Sequence, residues 1–182
     1  MKDTAYADPS FTAISLRYFN PIGAHESGLI GESPNDIPNN LMPYIMRVAN
    51  GHSPFIGVFG SDYNTIDGTG VRDYIHVTDL AKAHVAALPN KQAVSFNTFN
   101  LGTGRGTSVL ELIAAFEAAS GVTIPKEMQG RRDGDAGTSL AVPDKANEVL
   151  NWKTELSMQD ACRDNWNWCK KNPNGYEGGL KE

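Results

Sequence analysis

Ala13-Ile-Ser-Leu-Arg-Tyr-Phe19 runs directly into Asn20-Pro-Ile-Gly-Ala-His25. The first stretch is β-branched and aromatic and predicts a strand; the second is built of turn formers and ends it. The segment Asn20–Pro38 is rich in Gly, Pro, Ser and Asn and reads as one long loop. Connections of that length in a compact domain tend to be functional or disordered. Asn40–Asn50 then carries Leu41, Tyr44, Ile45 and Val48 at helical spacing, with Gly51 as the stop. Phe55–Phe59 predicts a short strand, Gly60–Gly70 a second Gly/Asp loop, and Asp73–Val77 another strand. Thr78 is placed to cap a helix over Asp79–Leu88, with Asp79 favourable to the helix dipole. Phe96–Leu101 is strand-like, and Ser108 with Glu111 forms a capping box opening a helix that reaches Ser120. Ile124–Met128 and Ser139–Val142 read as short strands around the loop Gly130–Thr138. Helices are predicted over Asp144–Leu150 and Ser157–Lys171, before a Gly/Pro-rich tail from Asn172 that is expected to fray. The order is mixed α/β without an internal repeat.

The 182 residues suffice for one domain with its own core, and 40% hydrophobic with 20% charged residues is an ordinary globular composition. Sixteen basic and 21 acidic side chains leave a formal charge of −5, and no Lys/Arg run exceeds two residues. That argues against a nucleic-acid partner. An anionic ligand would have to be held by a few focused cations. The N-terminus has no apolar signal core, and no apolar run approaches the ~20 residues that span a bilayer, so no membrane partner is expected. Cys162 and Cys169 are seven apart, on one helical face but too distant to bridge within a helix. Both are expected to be reduced, in a cytoplasmic protein.

Two chemistries that an α/β order invites are missing. Gly102-Thr-Gly104-Arg-Gly106-Thr follows a strand and precedes a helix, but the dinucleotide fingerprint G-x-G-x-x-G needs its third Gly at 107, where Thr stands. It reads as a turn. A Tyr-x-x-x-Lys pair would let an ammonium depress a phenol pKa and make a base. Four residues after each of the six tyrosines stand Ser10, Ile22, Val48, Asp67, Thr78 and Leu180, none of them Lys. The four histidines have no metal-ligand spacing.

Three residues stand out as anion contacts. Asn40 sits at a predicted helix N-terminus, where free N–H groups favour a phosphate; the plainer reading is a helix cap. Arg72 and Arg132 adjoin Gly-rich loops and suit bidentate phosphate binding. The plainer reading for each is a surface ion pair with Asp73, Asp133 or Asp135.

Arg17-Tyr-Phe-Asn-Pro-Ile-Gly-Ala-His25 is similar to the strand-to-loop junction of the UDP-galactose (UDP-glucose) 4-epimerases, extended short-chain dehydrogenases/reductases. Four further blocks agree in order: Ile37-Pro-Asn-Asn-Leu-Met-Pro-Tyr-Ile45, Gly68-Thr-Gly-Val-Arg-Asp-Tyr-Ile-His-Val-Thr-Asp-Leu-Ala81, Asn100-Leu-Gly-Thr-Gly104 and Arg131-Arg-Asp-Gly-Asp135. Leu150-Asn-Trp152 and Trp166-Asn-Trp168 fit as well. The resemblance covers nearly the whole chain and begins just after the family's Tyr-x-x-x-Lys helix.

The resemblance implies the C-terminal part of an NAD(P)-binding, Rossmann-like α/β fold. Residues 1–182 would be its small mixed α/β UDP-sugar-binding lobe, with 13–19 and 73–101 contributing sheet elements. The NAD-binding half and the catalytic Tyr/Lys pair would lie outside this sequence. The strand at 13–19 would then expose an edge, and poor solubility of the chain alone is expected. By the same resemblance Asn40, Arg72 and Arg132 hold the UDP diphosphate, and Leu41 is substrate-binding. Asn20 contacts the nucleotide sugar, the backbones of Gly57 and Phe59 address the uracil, and Asp135 lies by the ribose. Tyr18 and Phe19 line the nicotinamide and sugar end. Phe19, Phe59 and Tyr74 read as ordinary core by residue type, and Tyr74 keeps that reading. Ser139 stands where a Tyr narrows the sugar pocket in galactose-restricted members, so UDP-GlcNAc and UDP-GalNAc are expected substrates beside UDP-glucose and UDP-galactose. The implied activity is an NAD-dependent isomerase inverting C4 of the hexose through a 4-keto sugar, homodimeric at full length, in galactose metabolism. The alternatives are a non-catalytic nucleotide-sugar-binding module, one subunit of a split enzyme or, within the family, a UDP-sugar decarboxylase or dehydratase.

Overall fold

In chain order the elements of this computed structural model are α1 (Lys2–Ala7), β1 (Ala13–Tyr18), β2 (Asn20–Ile22), α2 (Leu41–Ala49), β3 (Ile56–Phe59), β4 (Val71–Arg72), β5 (Tyr74–His76), α3 (Val77–Ala87), β6 (Phe96–Leu101), β7 (Thr107–Ser108), α4 (Val109–Ser120), β8 (Lys126–Gln129), β9 (Thr138–Ser139), α5 (Asp144–Val149) and α6 (Met158–Lys171). The structure describes residues 1–34, 38, 40–88 and 96–176. Ile37 and Asn39 of the quoted 37–45 block lie outside them, as does part of the 73–101 sheet segment.

The β-branched run at the start becomes β1, paired in parallel with β6 from Ala13↔Phe96 to Tyr18↔Leu101. That pair forms a two-stranded sheet among the described residues, so the other edge of β1 is unpaired. Beyond Phe19 the chain pairs again, β2 with β5, and Asn20 N donates to Asp73 O at 3.0 Å. The expected loop therefore begins as a strand, because β5 offers it a parallel partner. A third parallel pair joins β3 to β8, and β4 lies between β7 and β9.

Two apolar clusters carry these pairs. In one, Met42, Ile45, Leu112, Ile113, Phe116 and Cys162 are buried where α2, α4 and α6 meet β3. In the other, Ile75, Leu80, Phe99 and Leu101 pack with Leu150 and Trp152. Cys162 and Cys169 are free and buried, and burial pushes the Cys162 thiol up to about 12.

Several boundaries differ from expectation for identifiable reasons. The cap of α3 is His76, not Thr78: the imidazole Nδ1 accepts from Thr78 N at 3.0 Å, and the helix starts at Val77. The expected strand at 124–128 is shifted to Lys126–Gln129 by its ladder with β3, and the one at 139–142 shortens to Thr138–Ser139, the residues that pair with β4. The tail is tied down through Tyr176, whose hydroxyl accepts from Gly31 N at 2.9 Å and donates to Gly31 O at 3.1 Å. Its ring lies 4.7 Å from that of Trp168. Helix α1 had no sequence forecast.

The glycine turn after β6 serves the fold. Asp73, fully buried, accepts Thr103 N at 2.8 Å, Gly104 N at 2.8 Å, Thr103 Oγ1 at 2.8 Å and Ala141 N at 3.2 Å. A Cβ at Gly102 would stand 2.4 Å from Ala141 Cβ and 2.6 Å from Asp73 Oδ2, so this closeness requires glycine.

Candidate functional site

The N-terminus of α2, strands β3 and β8, the β4–β5 segment and the loop 130–137 surround a cavity of about 410 Å³. Asn20, Asn40, Leu41, Gly57, Phe59, Arg72, Arg132 and Asp135 all line it. They come from positions 115 residues apart in sequence, and the β3–β8 and β4–β9 ladders bring them together.

One end is cationic. Arg72, on β4, donates from Nη2 to Asp135 Oδ1 at 2.5 Å and from Nη1 to Val71 O at 2.9 Å. Arg132 donates to the other oxygen, Oδ2, from Nη2 at 2.8 Å and Nε at 3.2 Å, and its guanidinium lies 4.8 Å over the Phe59 ring. Asp135 thus holds two guanidiniums side by side. Burial works against its ionisation, but the bond and charge of Arg132 and the charge of Arg72 outweigh it and keep the carboxyl below its usual range. Both arginines are in ion pairs with Asp135, as the plainer reading of each required, and both also face the cavity.

Asn40 completes that end. It occupies the cap position of α2, yet its side chain makes no capping bond and is solvent-exposed. Its carboxamide and the first amides of α2 are therefore available to a ligand at the positive end of the helix dipole. Pro43, in the first turn, has no N–H to contribute.

The other end is a strand edge. Ile56 N donates to Pro125 O at 2.8 Å and Gly60 N to Gln129 O at 2.9 Å, so the even-numbered residues of β3 face β8. Alternation turns the peptide groups of Gly57 and Phe59 to the opposite edge, which is unpaired among the described residues. Tyr44, Ser53, Phe55 and Gln129 surround this end. Tyr74 is core, 7% exposed, and it also lines the cavity. Burial, opposed by the charge of Arg72, raises its phenol to about 12, so it is a neutral wall and not a base.

Three expected residues lie apart from the cavity lining. Ser139 is exposed on β9 with its Cα partnered to that of Arg72. Tyr18, 52% exposed, ends β1 with its ring 6.0 Å from that of His84, and Phe19 donates its N–H to Leu101 O at 3.1 Å. Sequence reasoning missed Tyr44, Ser53, Phe55 and Gln129. The Gln129 signal was its alignment with Phe59 across two short strands, which becomes readable only once the register is known. Among the described residues no group of three His, Cys, Asp or Glu could hold a metal ion. Its cations lie at one end and a strand edge at the other, and among the described residues its lining presents no nucleophile–base pair.

Known proteins share this sequence and fold. Residues 3–102 match the model of the NAD dependent epimerase/dehydratase family. A UDP-glucose 4-epimerase of Cyamopsis tetragonoloba is 55% identical over 179 residues, which are 97% of this chain and 51% of that protein. One from Neisseria meningitidis serogroup C is 56% identical over 178 residues, 97% of this chain and 52% of that one. The crystal structure of UDP-glucose 4-epimerase from Bifidobacterium longum in complex with NAD+ and UDP superposes with a TM-score of 0.91 at 52% identity, over 96% of this chain and 52% of that one. The chain spans about half the length of the curated relatives it matches. With its parallel-paired α/β fold and its two-ended cavity, the chain belongs to the NAD dependent epimerase/dehydratase family.

Proposed function

We propose that this chain is the UDP-sugar-binding portion of a UDP-glucose 4-epimerase. The observation that carries the reading is the pairing of Arg72 and Arg132 on Asp135 at one end of a cavity whose other end is the free edge of β3. In this reading the two guanidiniums, the Asn40 carboxamide and the first amides of α2 hold the diphosphate through charge-assisted bonds. The peptide groups of Gly57 and Phe59 meet the uracil, Asp135 meets the ribose, and Asn20 and Leu41 contact the nucleotide sugar. The UDP end is held by many bonds and the hexose by few. That suits an epimerase whose 4-keto sugar must present both faces.

The family implies NAD, and the residues present here do not fit a dinucleotide cradle. The amides of Thr103 and Gly104 are bonded to Asp73 and that of Arg105 to Thr103 Oγ1, and Gly102 has no free space beside it. Redox chemistry is therefore assigned to the part of the relatives' length that this chain does not match, with Tyr18 and Phe19 the contacts offered from this side. The whole enzyme is read as a cytoplasmic homodimer of galactose metabolism, and two free thiols accord with a reducing compartment.

Titration of UDP-glucose into the chain, read by calorimetry, tests the binding role: saturable binding displaced by UDP is expected, and no binding of either ligand would overturn it. Mixing with the NAD-binding half of a relative is expected to restore turnover, whereas epimerisation by the chain alone with NAD would refute the division of labour. In the restored enzyme, the small Ser139 side chain is read as admitting a 2-acetamido group. Ser139→Tyr should then lower activity on UDP-GalNAc relative to UDP-galactose, and an unchanged ratio would remove that assignment.

A further inference from the structure

We propose that the Gln129 carboxamide reads the polar edge of the ligand's base and so helps the site select a pyrimidine nucleotide over a bare diphosphate. Gln129 ends β8 and is the ladder partner of Phe59, so both side chains stand on one face of the β3–β8 pair. Its side chain folds back over Gly57: a Cβ on Gly57 would lie 2.9 Å from Gln129 Oε1 and 3.0 Å from Nε2. The absent side chain of Gly57 is thus what admits the carboxamide to the cavity.

Along this face lie, in sequence, the Gly57 backbone, the Gln129 amide, the Phe59 ring and the Arg132 guanidinium over that ring. Among the described residues the carboxamide makes no hydrogen bond, although the residue lines the cavity. A carboxamide carries a donor and an acceptor side by side. The imide edge of uracil carries the same pair reversed, an N3–H beside a carbonyl, so the two match in a planar, two-bond arrangement. Phe59, 37% exposed, offers an apolar surface next to the same place. A base lying against the free edge of β3 would have backbone groups on one side and this amide on another, which the diphosphate contacts by themselves cannot supply.

The assignment rests on the cavity being a UDP site, and the test separates the two. The Kd values for UDP and for inorganic pyrophosphate are measured by calorimetry on the chain, its Gln129→Leu variant and its Gln129→Ala variant. Gln129 is exposed, so both variants are expected to fold. Removing two neutral hydrogen bonds should weaken UDP by about tenfold in each variant, with pyrophosphate affinity unchanged. UDP binding that is unaltered in both variants overturns the role of Gln129 and leaves the UDP site standing. Equal weakening of UDP and pyrophosphate overturns it too, since that marks a general distortion. If the unmodified chain binds UDP no more tightly than pyrophosphate, the base end is not a base site, and both readings fall.

Discussion

Arg72→Ala is expected to weaken UDP binding far more than Arg132→Ala, although both guanidiniums touch the same carboxylate. The difference comes from solvent. The Arg72 side chain is 19% exposed and that of Arg132 is 58% exposed. A sheltered charge-assisted hydrogen bond contributes about 1.5–3 kcal/mol, while an exposed ion pair contributes about 0.2–1 kcal/mol. At about 1.4 kcal/mol per factor of ten, the Kd for UDP should rise roughly 10–150-fold for Arg72→Ala and about 1.4–5-fold for Arg132→Ala. The stack of Arg132 on Phe59 does not alter this ranking: it is present before the ligand arrives, so it cancels between free and bound states. Either truncation leaves Asp135 with one cation, and its repulsion of a diphosphate enters both losses alike. Raising the salt shortens the screening length from about 10 Å at 0.1 M to about 3 Å at 1 M, which should shrink the Arg132 effect and leave most of that of Arg72. The assay is calorimetric titration of UDP into each variant at both salt concentrations, with circular dichroism as the folding control. An Arg132→Ala loss equal to or larger than that of Arg72→Ala would refute the burial argument.

His76 gives an acid-sensitive contribution to stability. Burial lowers its pKa against the opposing pull of Asp164, Asp79 and Asp160, and the Thr78 N–H donates to its Nδ1, which requires that nitrogen to be unprotonated. Nε2 then faces Asp164 Oδ2 at 3.3 Å. With the folded pKa below the unfolded value of about 6.5, the unfolded chain binds more protons as pH falls below that value, so stability drops on acidification and is fully present above it. Denaturant melts at about pH 7.5 and about pH 5.5 should show a smaller acid loss in His76→Gln than in the parent; equal losses would assign the effect elsewhere. Gly102→Ala should cost about 2–3 kcal/mol, because its Cβ would meet Ala141 and Asp73 inside van der Waals contact. Gly121→Ala, with φ 72° but nothing within 4 Å, should cost about 1 kcal/mol. If urea melts show Gly102→Ala to be no worse than Gly121→Ala, the close packing of the turn is not what selects glycine.

Local signals in the sequence located most elements, and pairing between distant strands accounts for the misses among the strands. The capping box Ser108–Glu111 and the strand Phe96–Leu101 match in detail because each rests on interactions within a few residues or on a strong β-branched and aromatic pattern. β2, β4 and β9 have two or three residues each, and their existence depends on partners 35 to 67 positions away. The cap of α3 went to His76 because a buried imidazole can accept from a helix amide as a hydroxyl does, and no propensity encodes that burial. At the site, charge and helix-end chemistry offered Arg72, Arg132 and Asn40 as anion contacts beside a plainer reading of each, and the resemblance chose between the readings and added Asp135. Gly57 was legible through the resemblance alone, as a backbone contact has no residue signature. Gln129 was silent, because its meaning lies in a ladder partner and in a missing Cβ.

Two carboxylates show why the proposed anion site falls to the arginines and not to the glycine turn. Asp73 and Asp135 each occupy a place an anion would favour, the first among backbone amides and a hydroxyl, the second between guanidiniums. Asp73 is fully buried, and removing it from its donors would leave three amides without partners in a closed space. Its turn is therefore saturated, and a phosphate cannot compete for it. The side chain of Asp135 is 20% exposed, and its partners include an arginine that is mostly in water. A guanidinium has five donors, so Arg72 and Arg132 can keep Asp135 and still donate to further oxygens. The carboxylate thus holds two like charges at close quarters, a geometry that would otherwise repel itself, and leaves them arranged for the proposed diphosphate.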